Sequence, residues 1–174
     1  MTNELKIFSK PNIKNREDFK KALKIAEVLI NHLNEKEIIN KISLIHKPYT
    51  KSSEIQDIFL PKARELGFVS EKKGIFSETA VTQLRPDYFL RLSESQGIIM
   101  EVERGKTLAN NMDLLDLWKC HICPVANFLF LIVPNIRQNS RGNTYIFNAV
   151  VRRMETFFTA ETYTNVDAVF IFSY

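Results

Sequence analysis

The sequence predicts an α/β domain with a central mixed β-sheet flanked by helices, on three observations. Amphipathic stretches of helical period alternate with shorter β-prone runs. Two of those runs, PDYFLRL and GIIMEVE, are separated only by SESQG, which reads as a meander or hairpin. A third, NFLFLIV, follows a helical stretch and is apolar throughout, as a strand buried on both faces would be. Strand, helix, strand in that order implies a parallel crossover.

The elements follow in turn. From Asn15 to about Leu33, Phe19, Leu23, Ala26, Leu29, Ile30 and Leu33 recur at helical spacing, and Lys20, Lys21 and Lys24 fall elsewhere around the helix. A second helix, Glu35 to Ile45, carries Ile38, Ile39, Ile42 and Ile45 and ends near Lys47-Pro48. In TKSSEIQDIFLPKARELGF, Ser52 or Ser53 is placed to cap a helix, Gly67 stops it, and Pro61 predicts a kink or a late start. Short β-prone pieces follow at Phe68-Val69 and Ile75-Phe76. After the two better strands, Asn110 or Asn111 caps a helix through MDLLDLWKCHIC that Pro124 ends. NIRQNSRGN reads as a polar loop, TYIFNAVVRRMETFF as a helix and VDAVFIFSY as a last strand.

The 174 residues, 45% hydrophobic and 25% charged, suit one domain with a full core, residues 1–50 forming a helical extension and 51–174 the core. A net charge of +4 and a pI of about 9.0 suit a polyanionic partner such as nucleic acid. No apolar run approaches the ~20 residues a membrane helix needs, and MTNELKIFSKPNIKNRED lacks a signal-peptide core, so a cytoplasmic location and no membrane are expected. Two cysteines offer no disulfide framework. No glycine-rich phosphate loop, nucleophile elbow or dinucleotide fingerprint appears, which sets aside kinase, hydrolase-fold and dehydrogenase classes and leaves no organic cofactor expected.

The chemistry-bearing residues are acidic. With SESQG as the loop, Leu92 faces Ile98, Phe89 faces Glu101 and Asp87 faces Glu103, so the three acids share one sheet face. Three converging carboxylates need a cation, and oxygen ligands favour Mg²⁺ or Mn²⁺, whose natural reaction is phosphodiester hydrolysis. The other face, with Tyr88, Leu90, Ile98, Met100 and Val102, is a core face. The competing account leaves the acids solvated, paired with Arg85, Arg91 or Arg104.

Leu84-Arg85-Pro86-Asp87, followed fourteen positions later by Ile99-Met100-Glu101-Val102-Glu103 within the order helix, β-meander, helix, strand, resembles the PD-(D/E)XK nuclease superfamily over residues 52 to 133. The resemblance implies a restriction-endonuclease-like core, with Asp87 and Glu101 binding Mg²⁺ (Mn²⁺ substituting) and Val102 offering a backbone carbonyl. Glu103 stands where the family has lysine, an E-x-E variant that some type II restriction endonucleases use. It would orient or deprotonate the attacking water or hold a second metal. Lys106 or Lys119 would then supply the missing cation, with Arg104 or Lys119 on phosphate. A salt-bridged surface pair of Asp116 and Lys119 is the plainer reading. The family's helix-borne acid maps onto Glu54, which also suits a helix N-terminus. DNA is the implied substrate, and a homodimer would bring two sites to two strands. Two alternatives stay open: a noncatalytic nucleic-acid-binding module, and a junction-resolving or repair nuclease.

Weaker signals complete the reading. Cys120-His121-Ile122-Cys123 lacks the second ligand pair that structural zinc needs, and it closes rather than opens a helix, unlike redox C-x-x-C motifs. Lys20, Lys21 and Lys24, Lys47 and Lys51, and Arg137, Arg141, Arg152 and Arg153 form basic groups suited either to phosphates or to solvent.

Overall fold

The computed structural model of the protein describes residues 2–47, 51–70, 76, 84–139, 142–160 and 163–174. Strand β1 (Leu5–Ser9) leads into α1 (Glu17–Leu33), α2 (Lys36–Ile45) and α3 (Ser52–Glu65). Then come β2 (Val69–Ser70), β3 (Tyr88–Arg91), β4 (Gly97–Val102), α4 (Met112–Ile122) and β5 (Phe128–Val133). The hairpin β6 (Ile136–Asn139) and β7 (Gly142–Tyr145) precedes α5 (Ile146–Glu155), a 3₁₀ turn at Thr156–Phe158, and β8 (Ala168–Ser173).

A mixed six-stranded sheet in the order β1-β8-β5-β4-β3-β2 organises the fold. Strands β8, β5 and β4 run parallel to one another, while β1 pairs antiparallel with β8, β3 with β4, and the edge strand β2 with β3. Helices cover both faces, and side-chain alternation sorts the strand residues between them. Ile98, Met100, Val102, Phe128, Phe130, Ile132, Phe170 and Phe172 pack with α1, α2 and α3. Ile99, Leu129, Leu131, Val133, Val169 and Ile171 pack with α4 and α5. Phe128, Phe130, Phe170 and Phe172 are fully buried, each worth about 2 to 3 kcal/mol in apolar transfer.

Several expectations change. Residues 1–50 are not only a helical extension. β1 hydrogen-bonds along β8, pairing Leu5 with Phe172, and Phe19 of α1 packs against Phe128 and Phe170 at ring separations of 6.3 and 5.9 Å. The polar stretch after β5 is a hairpin, and the following helix starts at Ile146 rather than Thr144. Pro61 lies inside α3 without delaying its start, and Lys51, not Ser52 or Ser53, is the cap residue. Asn111 caps α4 at a left-handed φ of 52° but without a side-chain cap bond. Of the Ile75-Phe76 piece, Ile75 lies outside the described residues and Phe76 is a buried turn residue whose ring meets Phe89 edge-on.

Among the described residues, no helix is long and apolar enough to cross a membrane.

Candidate active site

The β3–β4 pairing sets the site. Tyr88 lies opposite Met100 and Arg91 opposite Gly97, a register two residues from the expected one. The turn explains it. Leu92 and Ser93 both donate their amides to the Gln96 carbonyl, so the loop is 92–96. Gly97 then sits where an added Cβ would come within 2.6 Å of the Phe89 ring, 2.7 Å of the Val125 carbonyl and 2.8 Å of the Leu90 carbonyl. An even offset keeps every side chain on its face, and it brings Asp87, rather than Phe89, beside Glu101.

Glu101 occupies an odd position of β4, on the face that α4 covers, and is 2% exposed. An ionised carboxylate in an apolar layer needs a partner. Lys119 of α4 supplies it: its Nζ donates to Glu101 Oε1 and to Asp116 Oδ1, at 2.9 Å each. Asp116 is itself fully buried. The Asp116–Lys119 pair is therefore real but interior, not a surface pair.

Asp87 is held from three directions. Gln56 of α3 donates to Oδ1 at 2.8 Å, the Val102 amide donates to Oδ2 at 2.9 Å, and the Asp87 amide donates to Glu101 Oε2 at 3.1 Å. Glu103 follows β4, fixed by its amide on the Ile132 carbonyl at 2.8 Å and by the Tyr174 hydroxyl donating to its own carbonyl at 2.7 Å.

Asp87, Glu101, Glu103 and Asp116 thus lie close together, with Lys119 paired to Glu101 and Asp116, and their protonation reflects it. Burial, then the charges of Asp116 and Asp87, push Glu103 up to about 8. Burial pushes Asp116 up to about 6 against the pull of Lys119. Glu101 is raised well above the ordinary carboxylate range by burial and by Asp116. Burial works against the Lys119 ammonium, but Glu101 and Asp116 outweigh it and raise its pKa. Oδ2 of Asp116 is buried with no hydrogen-bond partner.

The remaining expected residues fall elsewhere. Glu54 is exposed and accepts the Lys51 amide at 3.2 Å, closing the first turn of α3; Gln56 is the residue of that helix that meets Asp87. Arg104 turns away to the Lys47 carbonyl. Lys106 is exposed in the loop before α4, and among the described residues no contact ties it to the acids. Val102 touches the site through its amide. The cysteines are free and buried, with thiols raised by burial, and His121 Nδ1 accepts the Asn165 amide at 3.0 Å. Gln56 and Tyr174 carry no signal in the sequence, and Asp116 enters there only as the surface partner of Lys119. Only Asp116 had a local signal, its three-residue spacing from Lys119.

Among the described residues, no three His, Cys, Asp or Glu side chains are grouped closely enough to hold a metal ion. Asp87, Glu101 and Glu103 are neighbours whose oxygens are partly engaged by Gln56, Lys119 and backbone amides. Compared with family models, curated proteins and solved structures, the chain finds no match.

Proposed function

We propose that this chain is a metal-dependent DNA endonuclease of the PD-(D/E)XK type, with Lys119 standing in for the lysine that the E-x-E triplet lacks. The observation that carries the reading is the 2.9 Å contact of Lys119 Nζ with Glu101, one carboxylate away from Asp87. An amine brought there by α4 meets the same acid that a triplet lysine would accompany.

The chemistry of the donor set suits a divalent cation, and its carboxylates would have to draw closer together to hold one. The carboxylates crowd together around Lys119, Asp116 Oδ2 lacks a partner, and all the donors are hard oxygens. Asp87, Glu101 and the Val102 carbonyl would hold Mg²⁺ or Mn²⁺ once the Asp87 oxygens exchange their amide partners for it. When bound, the ion polarises the phosphate and stabilises the departing oxygen. Lys119 keeps its proton and donates to a phosphoryl oxygen, where negative charge grows as water attacks. Glu103 takes the water's proton as the new P–O bond forms and the bond to the leaving oxygen breaks; its raised pKa suits that exchange near neutral pH. Two copies of the chain would serve the two strands of a duplex.

The engaged oxygens favour one second reading, a noncatalytic nucleic-acid-binding module whose acids and lysine form a buried structural network.

Incubating supercoiled and mixed-sequence linear DNA with Mg²⁺ or Mn²⁺ separates the two. Cleavage by the wild type, lost in Asp87→Asn, Glu101→Gln and Lys119→Ala, is expected. A folded wild type that binds DNA yet cuts neither substrate with either metal would sink the enzyme in favour of the binding module.

A further inference from the structure

A groove of about 420 Å³ opens between the start of α4 and the end of α5. Leu114 and Phe157 contribute apolar surface, and Asn111, Thr156, Arg152 and Arg153 contribute polar groups. Its size matches that of small-molecule sites. The two arginines differ in their freedom. Arg153 is engaged by Asn111 Oδ1 at 3.1 Å and by buried Asp113 at 3.0 Å. Arg152 is exposed; its Nε donates to the Asn148 carbonyl at 3.3 Å, and among the described residues its other guanidinium N–H groups have no protein partner.

The groove also adjoins the acid cluster. Asp113, which Arg153 holds, lies three residues before Asp116 on α4, about 4.5 Å along the axis. Its charge reaches both Glu103 and Asp116. An apolar floor beside an uncommitted guanidinium matches a ligand with a flat apolar body and an anionic group, which one nucleotide provides.

We propose that this groove takes a nucleotide of the bound DNA strand next to the reacting phosphodiester, with its phosphate on Arg152 and its base or sugar over Leu114 and Phe157. This rests on the nuclease reading and adds to it where the strand runs and which residues fix its register.

The test is the binding of a fluorescent oligonucleotide of about 12 nucleotides, single-stranded and duplex, followed by anisotropy across a salt series in a chelator so that cleavage cannot intervene. Arg152→Glu is compared with Arg152→Lys and with Lys36→Glu, an equal charge reversal at an exposed site on α2 across the sheet. Arg152→Glu is expected to weaken binding at least about tenfold and to lower the slope of log affinity against log salt by about one. Arg152→Lys should stay within about threefold of the wild type and Lys36→Glu within about twofold, as a phosphate contact differs from a general field. Wild-type binding that Arg152→Glu reduces no more than Lys36→Glu does would overturn the groove alone, leaving the cleavage results to stand. Failure of the wild type to bind either form would overturn the groove as well, and the cleavage assay would then show whether the nuclease reading falls with it.

Discussion

Replacing Lys119 by Met keeps most of the side chain's apolar stem and removes the charge that two interior carboxylates share. Glu101 is 2% exposed and Asp116 is 0% exposed, so water cannot take over from the lost ammonium. Breaking a buried ion pair from one side costs about 3 to 5 kcal/mol. The carboxylates have one escape, which is to fold protonated. Holding a proton on Glu101 above its ordinary pKa of 4.5 costs about 1.4 kcal/mol per pH unit. That ceiling is about 5 kcal/mol at pH 8 and about 1.4 kcal/mol at pH 5.5. Lys119→Met is therefore expected to lose about 3 to 5 kcal/mol at pH 8 and only about 1 to 2 kcal/mol at pH 5.5. Urea unfolding followed by far-ultraviolet circular dichroism at the two pH values measures both. A variant that folds only at the lower pH would satisfy the same argument. A loss below about 1 kcal/mol at pH 8, or an equal loss at both pH values, would refute the claim that Lys119 compensates buried charge.

Two further outcomes follow from the same geometry. Glu103 has a folded-state pKa raised to about 8 from 4.5, so its contribution to stability is fully present below pH 4.5 and is lost as pH rises through about 8; Glu103→Gln in the metal-free protein should gain about 1 to 3 kcal/mol on the wild type across that window and hold a constant advantage above it, read from denaturation midpoints. Gly97→Ala should destabilise by about 2 kcal/mol or more, since two of its three close contacts are backbone carbonyls that cannot move aside, and thermal melting that matches the wild type would mean the turn is softer than argued.

What the sequence revealed depended on how local the signal was. β5 and β8 were legible because strands buried on both faces are written as unbroken apolar runs, FLFLIV and AVFIFS. β1 was not, because an edge strand of five residues that includes Lys6 carries neither length nor alternation; what makes it a strand is β8, far along the chain. Asp87 and Glu101 were found as neighbours despite a register two residues off, because an even slip moves residues along a face without changing it. Burial was the unreadable quantity. Asp116 and Lys119 looked like a solvated pair at helical spacing, and only the packing of α4 over the odd positions of β4 turns them inward to Glu101. Gln56 and Glu54 are two residues apart on α3; the charge of Glu54 is visible in sequence, whereas only packing shows that the neutral amide of Gln56 reaches Asp87.

The position of β8 bears on how the chain is made. Residues 168–173 form an interior strand, between β5 and β1, and not an edge. The Glu4 amide meets the Ser173 hydroxyl across 169 positions of sequence. β1 therefore has no sheet neighbour until Ser173 has left the ribosome, and α1 has only part of the surface it will cover, since Phe170 arrives with that same strand. Loop closure of this length is slow compared with the β3–β4 hairpin, whose partners are separated by a five-residue turn. Synthesis would thus leave the β8-facing flank of β5 open until residues 168–173 have emerged, a period when the chain depends on being shielded from other chains.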